Sequence, residues 1–340
     1  MNKYIIPIIA AAVLAGGCAK TVTDGTNVAA KRFFDAWAQV AAPNAVKTAL
    51  GSYIFEETPG TGVPIADSLF IKADYTIRTI DGAVTSTTSE LMAKQLGSYN
   101  ASNFYGPTVW FRGEDALYAG IEELIKGKNV GAHFQAAIPG WLCTTERYST
   151  QEEYLKKVTG TDYIYDFTVT DAFNDIEKYE LDSIVRYMKA NYPEVDPADT
   201  VDSERNKYGL YYVCLKPSDK PDTTFADGAE VHLNYTGMRL DGTIFDTTDE
   251  KTAKDAGIYS AGSSYKPTYV KWKENYKEMT MGDSESSAID GFLYAISHMK
   301  PHEKGIVIFH SGYGYGYNGH GKTIPGYSPL AFILELTDNE

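Results

Sequence analysis

The chain is poor in the residues that build most enzyme centres. It holds three cysteines in 340 residues, at Cys18, Cys143 and Cys214, and none stands in a Cys-x-x-Cys spacing, which removes the commonest structural-metal pattern. The histidines are scattered. His298 and His302 lie four apart at a helix end, but no third ligand is near, so they read as a surface pair and no metal is expected. Basic residues are in deficit, 31 Lys and Arg against 45 Asp and Glu, for a net charge of −14. No basic cluster stands out, so nucleic acid is excluded as a partner, because neutralising phosphates needs grouped Lys and Arg. Beyond Leu14 no apolar run is long enough to span a bilayer. No nucleophile–base set and no carboxylate pair shows in the spacing.

What is present begins at the first residue. A short positive start, Met1-Asn2-Lys3, precedes an apolar stretch from Tyr4 to Leu14 and small residues before Cys18. That order makes a secretion signal, since the apolar core is too short for a membrane span. Leu14-Ala15-Gly16-Gly17-Cys18 resembles the lipobox of bacterial lipoproteins, with the leucine one place further from the cysteine than usual. The resemblance implies acylation of Cys18 and a mature chain anchored by lipid in the bacterial cell envelope, at the outer membrane. Several acyl chains hold a protein firmly at about 0.8 kcal/mol per buried methylene. Residues 1–17 are then the signal peptide and 18–29 the lipidated Cys with a flexible polar tether. Cys143 and Cys214 are expected as buried thiols rather than a disulfide.

The remainder runs through one plan twice. Each half opens with an amphipathic helix, its apolar face at Phe33, Trp37, Val40 and Ala41 in the first, and Leu181, Ile184, Val185 and Met188 in the second. Pro43 and Pro193 end these helices. A strand follows (Tyr53 to Glu56; Leu210 to Val213), then a strand ending in Tyr75-Thr76 or Tyr235-Thr236. An Asp-Gly hairpin turn comes next, at Asp81-Gly82 and Asp241-Gly242. One short helix follows (Ala116 to Ile125; Ile289 to Met299), and a strand closes each half (Tyr163 to Val169; Leu330 to Leu336). The pattern predicts an α+β fold. The boundaries are an N-terminal helix over 30–50, one domain over 51–172, a helical connector over 173–206 and a second domain over 207–340.

The second half carries a further signature. Val231 to Thr248 resembles the signature strand and hairpin of FKBP-type peptidyl-prolyl isomerases. Ala288-Ile289-Asp290-Gly291-Phe292 resembles that family's helix start. Met299 to Phe309 follows as the helix end and next strand. Tyr313-Gly314-Tyr315-Gly316, Ile324-Pro325 and Leu330-Ala331-Phe332 resemble its Tyr-Gly loop and closing strand. The resemblance implies two FKBP-like domains, each an antiparallel sheet wrapped on a short helix. In the second, Tyr235, Phe245, Phe292 and Phe332 would line a pocket for a prolyl ring. Ile289 would offer its N–H to a substrate carbonyl, and Asp246 would support the pocket by hydrogen bonds. Tyr315 would offer its hydroxyl to the ligand, and His320 and Thr323 would sit on the loop above. Phe292 stands where the family usually has Trp. Ala288 and Thr323 replace bulkier aliphatics, which makes the pocket wider and wetter. The stretch from Asp249 to Met281 is longer than the family's usual connection and reads as a functional or mobile loop that either binds unfolded chains or covers the pocket.

The first half departs further. Tyr75 matches the pocket tyrosine, but Thr85 and Ser86 stand where Phe and Asp belong, Cys143 falls near the loop tyrosine, and a polar insert runs from Thr144 to Gly160. It is expected to keep the fold without the activity. Two nucleotide motifs in the final loop are declined: Gly314 to Gly319 reads G-x-G-x-x-G and Gly316 to Thr323 reads as a P-loop. Both need a helix at the motif, and Pro325 and Pro329 forbid one. The sequence therefore reads as a prolyl isomerase and foldase without cofactor, acting on proline-containing polypeptides in the envelope. Noncatalytic binding of peptides or protein partners is the alternative, and the oligomeric state is left open.

Overall fold

The computed structural model describes residues 26–114, 116–196, 208–283 and 286–338. The leader, Cys18 and most of the expected tether lie outside them. The first half contains α1 (Thr26–Ala41), β1 (Val46–Lys47), β2 (Tyr53–Pro59), β3 (Phe70–Thr79), β4 (Val84–Thr87), α2 (Glu90–Gln95), β5 (Thr108–Phe111), α3 (Ala119–Ile125), β6 (Ala132–Ile138), α4 (Gln151–Lys157) and β7 (Tyr163–Phe173). After α5 (Ile176–Asn191) come β8 (Leu210–Lys216), β9 (Glu230–Arg239), β10 (Ile244–Thr247), α6 (Glu250–Asp255), β11 (Thr268–Lys271), β12 (Thr280–Met281), α7 (Asp290–His298), β13 (Lys304–Phe309) and β14 (Leu330–Thr337).

The two sheets share one topology. The first runs β1-β2-β6-β7-β3-β4 with β5 also on β3. The second runs β12-β11-β9-β14-β13-β8 with β10 also on β9. Matching β2 to β8, β6 to β13, β7 to β14 and β3 to β9 superposes the orders, and all of these pairings are antiparallel. The Asp-Gly turns close β3–β4 and β9–β10, with Gly82 at φ 95° and Gly242 at φ 84°, a region that glycine enters without a Cβ clash. The chain is an α+β protein of two domains with one strand order, joined by the amphipathic helix α5.

The stretch from Asp249 to Met281 is not an isolated addition. It is ordered, with α6, β11 and β12, and it is duplicated. Thr88, Gly97, Tyr99, Tyr105 and Pro107 stand at one constant spacing from Thr248, Gly257, Tyr259, Tyr265 and Pro267. The contacts repeat with the residues. Tyr99 stacks on Tyr105 at 5.5 Å and Tyr259 on Tyr265 at 5.4 Å, while Lys94 sits 4.7 Å over Tyr99 and Lys254 4.8 Å over Tyr259. Stacked rings and cation–π contacts of this kind give each segment its own small core. The segment is thus built from short regular elements rather than one long loop.

The helices differ from the sequence reading in detail. α1 begins at Thr26, inside the expected tether, and buries Phe34 and Ala38 while Phe33 and Val40 are 60 % and 86 % exposed. Its inward stripe is one position off because Phe34 stacks on Trp37 and reaches Trp141 and Tyr53. α5 docks on the outer face of the second sheet. Ile184 and Met188 pack on Tyr211, Val213, Ile306 and Ile308, and α7 covers the opposite face through Leu293 and Ile296. Strands covered on both sides lose the alternation of a one-sided sheet, and Leu210 to Val213 are indeed buried without a break.

Neither Cys143 nor Cys214 is in a disulfide, but Cys143 is only half-buried and Cys214 is exposed, where both were expected to be buried. Burial, with the Asp162 charge adding to it, pushes the Cys143 thiol up to about 12. Because the thiolate is the nucleophile, iodoacetamide at pH 8 is expected to alkylate the Cys214 peptide first and Cys143 far more slowly until the chain is unfolded. Peptide masses check this; equal labelling of both in the folded chain would contradict the burial.

Candidate active site

The helix start at α7, the hairpin of β9 and β10, the closing strand β14 and the loop after β13 converge on one cleft of the second domain. Tyr235, Asp246, Ala288, Ile289, Phe292, Tyr315 and Phe332 line it, around a cavity of about 550 Å³. Residues far apart in sequence meet here because β9 lies between β10 and β14. Gly237 pairs with Phe332 and with Asp246, which brings both strands to the same end of the sheet.

The floor is a cluster of rings set edge to face. Phe332 meets Phe292 at 5.4 Å, Phe245 at 5.7 Å and Tyr235 at 6.4 Å, and Tyr235 meets Phe292 at 5.6 Å and 87°. Edge-to-face pairs satisfy the ring quadrupoles, so the walls of the cup hold one another in place. Gly237 makes this approach possible: a Cβ there would stand 2.7 Å from Phe332 and 2.8 Å from Phe245. Phe245 supports the cup from the side and opens onto the neighbouring cleft of about 810 Å³, walled by Tyr265 and Tyr269 of the duplicated segment.

Two polar groups face this apolar floor. The Tyr235 hydroxyl donates to Asp246 Oδ2 at 2.7 Å. Burial, then the Asp246 charge beside it, raises the Tyr235 phenol, so it stays protonated and remains a donor. Burial also raises Tyr315, with Asp246 adding to it. Ile289 is the N-cap of α7, with φ −69° and ψ 145°. His320 is exposed, and its ring lies 5.0 Å from Tyr315. Thr323 stands outside the cup; its carbonyl accepts from the Arg239 guanidinium at 2.6 Å, and the neighbouring Ile324 is the residue buried in the core. Cys18 lies outside the described residues. Two further residues shape the site, Gly237 and Arg239. Gly237 was legible as a glycine inside a strand, where one backbone or ring approaches another. Arg239 gave no sign beyond its place at a strand end.

The first domain keeps an altered version of the cup. Tyr75, Ile121 and Tyr165 stand where Tyr235, Phe292 and Phe332 stand in the second. Trp110 packs 5.4 Å from Tyr75, and Tyr317 and Tyr327 of the second domain close over the cavity of about 550 Å³. Ile77 occupies the place of Gly237, and Thr85 and Ser86 those of Phe245 and Asp246. Tyr75 thus has no carboxylate at the position equivalent to Asp246. In the final loop, no helix follows Lys322 and Thr323 and the next element is β14, so neither nucleotide motif meets a helix N-terminus.

Residues 222–337 match the family described as FKBP-type peptidyl-prolyl cis-trans isomerase. Among solved structures the chain is similar to a peptidyl-prolyl cis-trans isomerase from Pseudomonas syringae pv. tomato, at 22 % identity and a TM-score of 0.32, over 50 % of this chain and 97 % of that one. It is also similar to the three FKBP domains of wheat FKBP73, at 15 % identity and a TM-score of 0.27, over 84 % of this chain and 95 % of that one. Residues 222–337, where the four ordered motifs fold into one aromatic cup, form a domain of the FKBP-type peptidyl-prolyl cis-trans isomerase family.

Proposed function

We propose that the second domain isomerises X-Pro bonds in unfolded or newly exported polypeptides. Prolyl isomerase is the enzyme class of its family. The observation that carries the reading is the cup itself, with Phe292 and Phe332 only 2 % and 5 % exposed beneath a cleft that opens to solvent. An X-Pro amide resists rotation by about 18–20 kcal/mol because resonance keeps it planar. The planar form carries separated charge, which water stabilises. A ring seated on Phe292 and Phe332 holds the amide in a drier place, where the twisted form loses less. The Ile289 N–H and the Tyr315 hydroxyl are donors at the rim for the substrate's carbonyls. No bond is made or broken, and catalysis is tighter binding of the twisted state than of either planar one.

The first domain, with Ser86 in place of the carboxylate, is a noncatalytic relative. The lipobox at Cys18 supports an envelope lipoprotein held at the outer membrane by its acyl chains, with exported polypeptides as substrates. A protease-coupled assay with an X-Pro peptide tests the activity, and turnover by the full chain is the expected result. The cleft of about 810 Å³ beside the cup favours peptide capture as the second reading. Absence of turnover together with tight binding of an unfolded protein would select it.

A further inference from the structure

The loop from Ser311 to Ile324, which brings Tyr315 and His320 to the rim of the cup, is held at both ends by groups that precede residue 207 in the chain. At its start Ser311 gives its backbone N–H (2.5 Å) and its hydroxyl (2.7 Å) to the carboxylate of Glu180 on α5, a residue only 2 % exposed. At its end the Lys322 carbonyl accepts from the Phe104 N–H of the first domain at 2.8 Å. The next carbonyl, that of Thr323, accepts from Arg239 at 2.6 Å. Arg239 is 5 % exposed and crosses the domain boundary. It also donates to the carbonyls of Ser102 at 2.9 Å and Asn103 at 3.3 Å, and lies 5.4 Å over the Phe104 ring. Between these pins the loop is stitched to itself: Gly316 N–H donates to the Ser311 carbonyl at 2.8 Å and Tyr327 N–H to the Gly316 carbonyl at 2.9 Å.

Burying a guanidinium is costly unless its donors are met, and a planar fork that reaches three carbonyls in two domains fixes their relative places. The repeat shows that the device is particular to this junction. The position equivalent to Arg239 in the first domain is Thr79, and the position equivalent to Phe104 in the second is Ser264. Each half of the clamp exists in one copy only.

We propose that the first domain and α5 splint the rim loop, and that Arg239, with Phe104 and Glu180, is a positioning residue for substrate binding. The inference rests on the isomerase reading. It is tested in the full chain with Arg239→Ala, Arg239→Lys and Phe104→Ala, by steady-state kinetics on an X-Pro peptide and by the rate of tryptic cleavage after Lys322. Loss of rim contacts made equally in ground and transition states raises KM and spares kcat. Arg239→Ala and Phe104→Ala are therefore each expected to raise KM about tenfold with little change in kcat. Both should speed cleavage after Lys322 about tenfold by local opening. Arg239→Lys should recover only part, since one ammonium cannot serve three carbonyls. If Arg239→Ala does not fold, Phe104→Ala decides, because that ring lies in the other domain. Wild-type KM and wild-type cleavage in Phe104→Ala would overturn the splint. A wild-type chain with no turnover would instead sink the isomerase reading, and the cleavage rates would still judge the splint.

Discussion

Asp246→Ala is expected to lower kcat/KM for an X-Pro peptide by about 10- to 100-fold, and to leave the melting temperature nearly unchanged. The activity estimate follows from the one hydrogen bond that fixes the Tyr235 ring in the cup wall, its hydroxyl on Asp246 Oδ2 at 2.7 Å. A loss of that size corresponds to about 1.4–2.7 kcal/mol of transition-state binding that depends on the ring's position, since each 1.36 kcal/mol in a barrier is a factor of ten. The stability estimate follows from exposure: Asp246 is at the surface, and such substitutions stay within about 0.5 kcal/mol. Tyr235→Phe removes the donor while keeping the ring, so it should share part of the loss. Phe245→Ala should lose activity by another route, through the ring that braces Phe332 at 5.7 Å. Protease-coupled kinetics beside a thermal melt separates the two quantities. Full turnover in Asp246→Ala would remove the carboxylate from the mechanism.

A chain that starts at residue 207 should melt lower, by about 10 °C or more, than one that starts at residue 174. The first is the natural cut from the motif alone, since it contains every residue of the cup. It discards α5, however, and with it Ile184 and Met188, both fully buried. Each such side chain contributes about 1.5–3 kcal/mol on burial, a large share of the about 5–15 kcal/mol that holds a domain together. The shorter chain also bares Tyr211, Val213, Ile306, Ile308 and Ala331 as one apolar face, the kind of patch that drives association. Thermal melts with dye binding to exposed apolar surface measure both effects. Equal melting of the two chains would show that α5 is a tether and no part of the core.

Much of the site was legible because its markers are local. Tyr235, the Phe245-Asp246 pair, Ile289 and Phe332 sit in short segments whose order along the chain is itself a pattern, and strand pairing then brings them together. The hairpin turns at Asp81-Gly82 and Asp241-Gly242 were readable for the same reason: a positive φ demands a residue type at one position. The reading faltered where one residue's neighbours come from elsewhere. Phe33 and Phe34 are adjacent and alike, and only Tyr53 and Trp141 decide which turns inward. Cys214 and Cys143 look equally apolar, yet one is exposed because β8 ends at the rim of its sheet. The duplicated segment from Thr88 to Phe111 was within reach of the sequence, since its spacing to Thr248 and beyond never varies and ten of its 24 residues are identical.

The sequence by itself determined the doubled α+β plan, the charge and the aromatic motifs of the second domain, because turn residues, periodicity and motif order are properties of neighbouring positions. Only the tertiary structure decided that α5 belongs to the core of the second domain, that Tyr317 and Tyr327 close over the first domain's cavity, and that Arg239 joins two domains to one loop. Those outcomes depend on desolvation and on partners more than a hundred positions away, as between Arg239 and Ser102 or Glu180 and Ser311. A buried charge is tolerated only where the whole fold supplies its acceptors, and no local stretch of sequence contains that information.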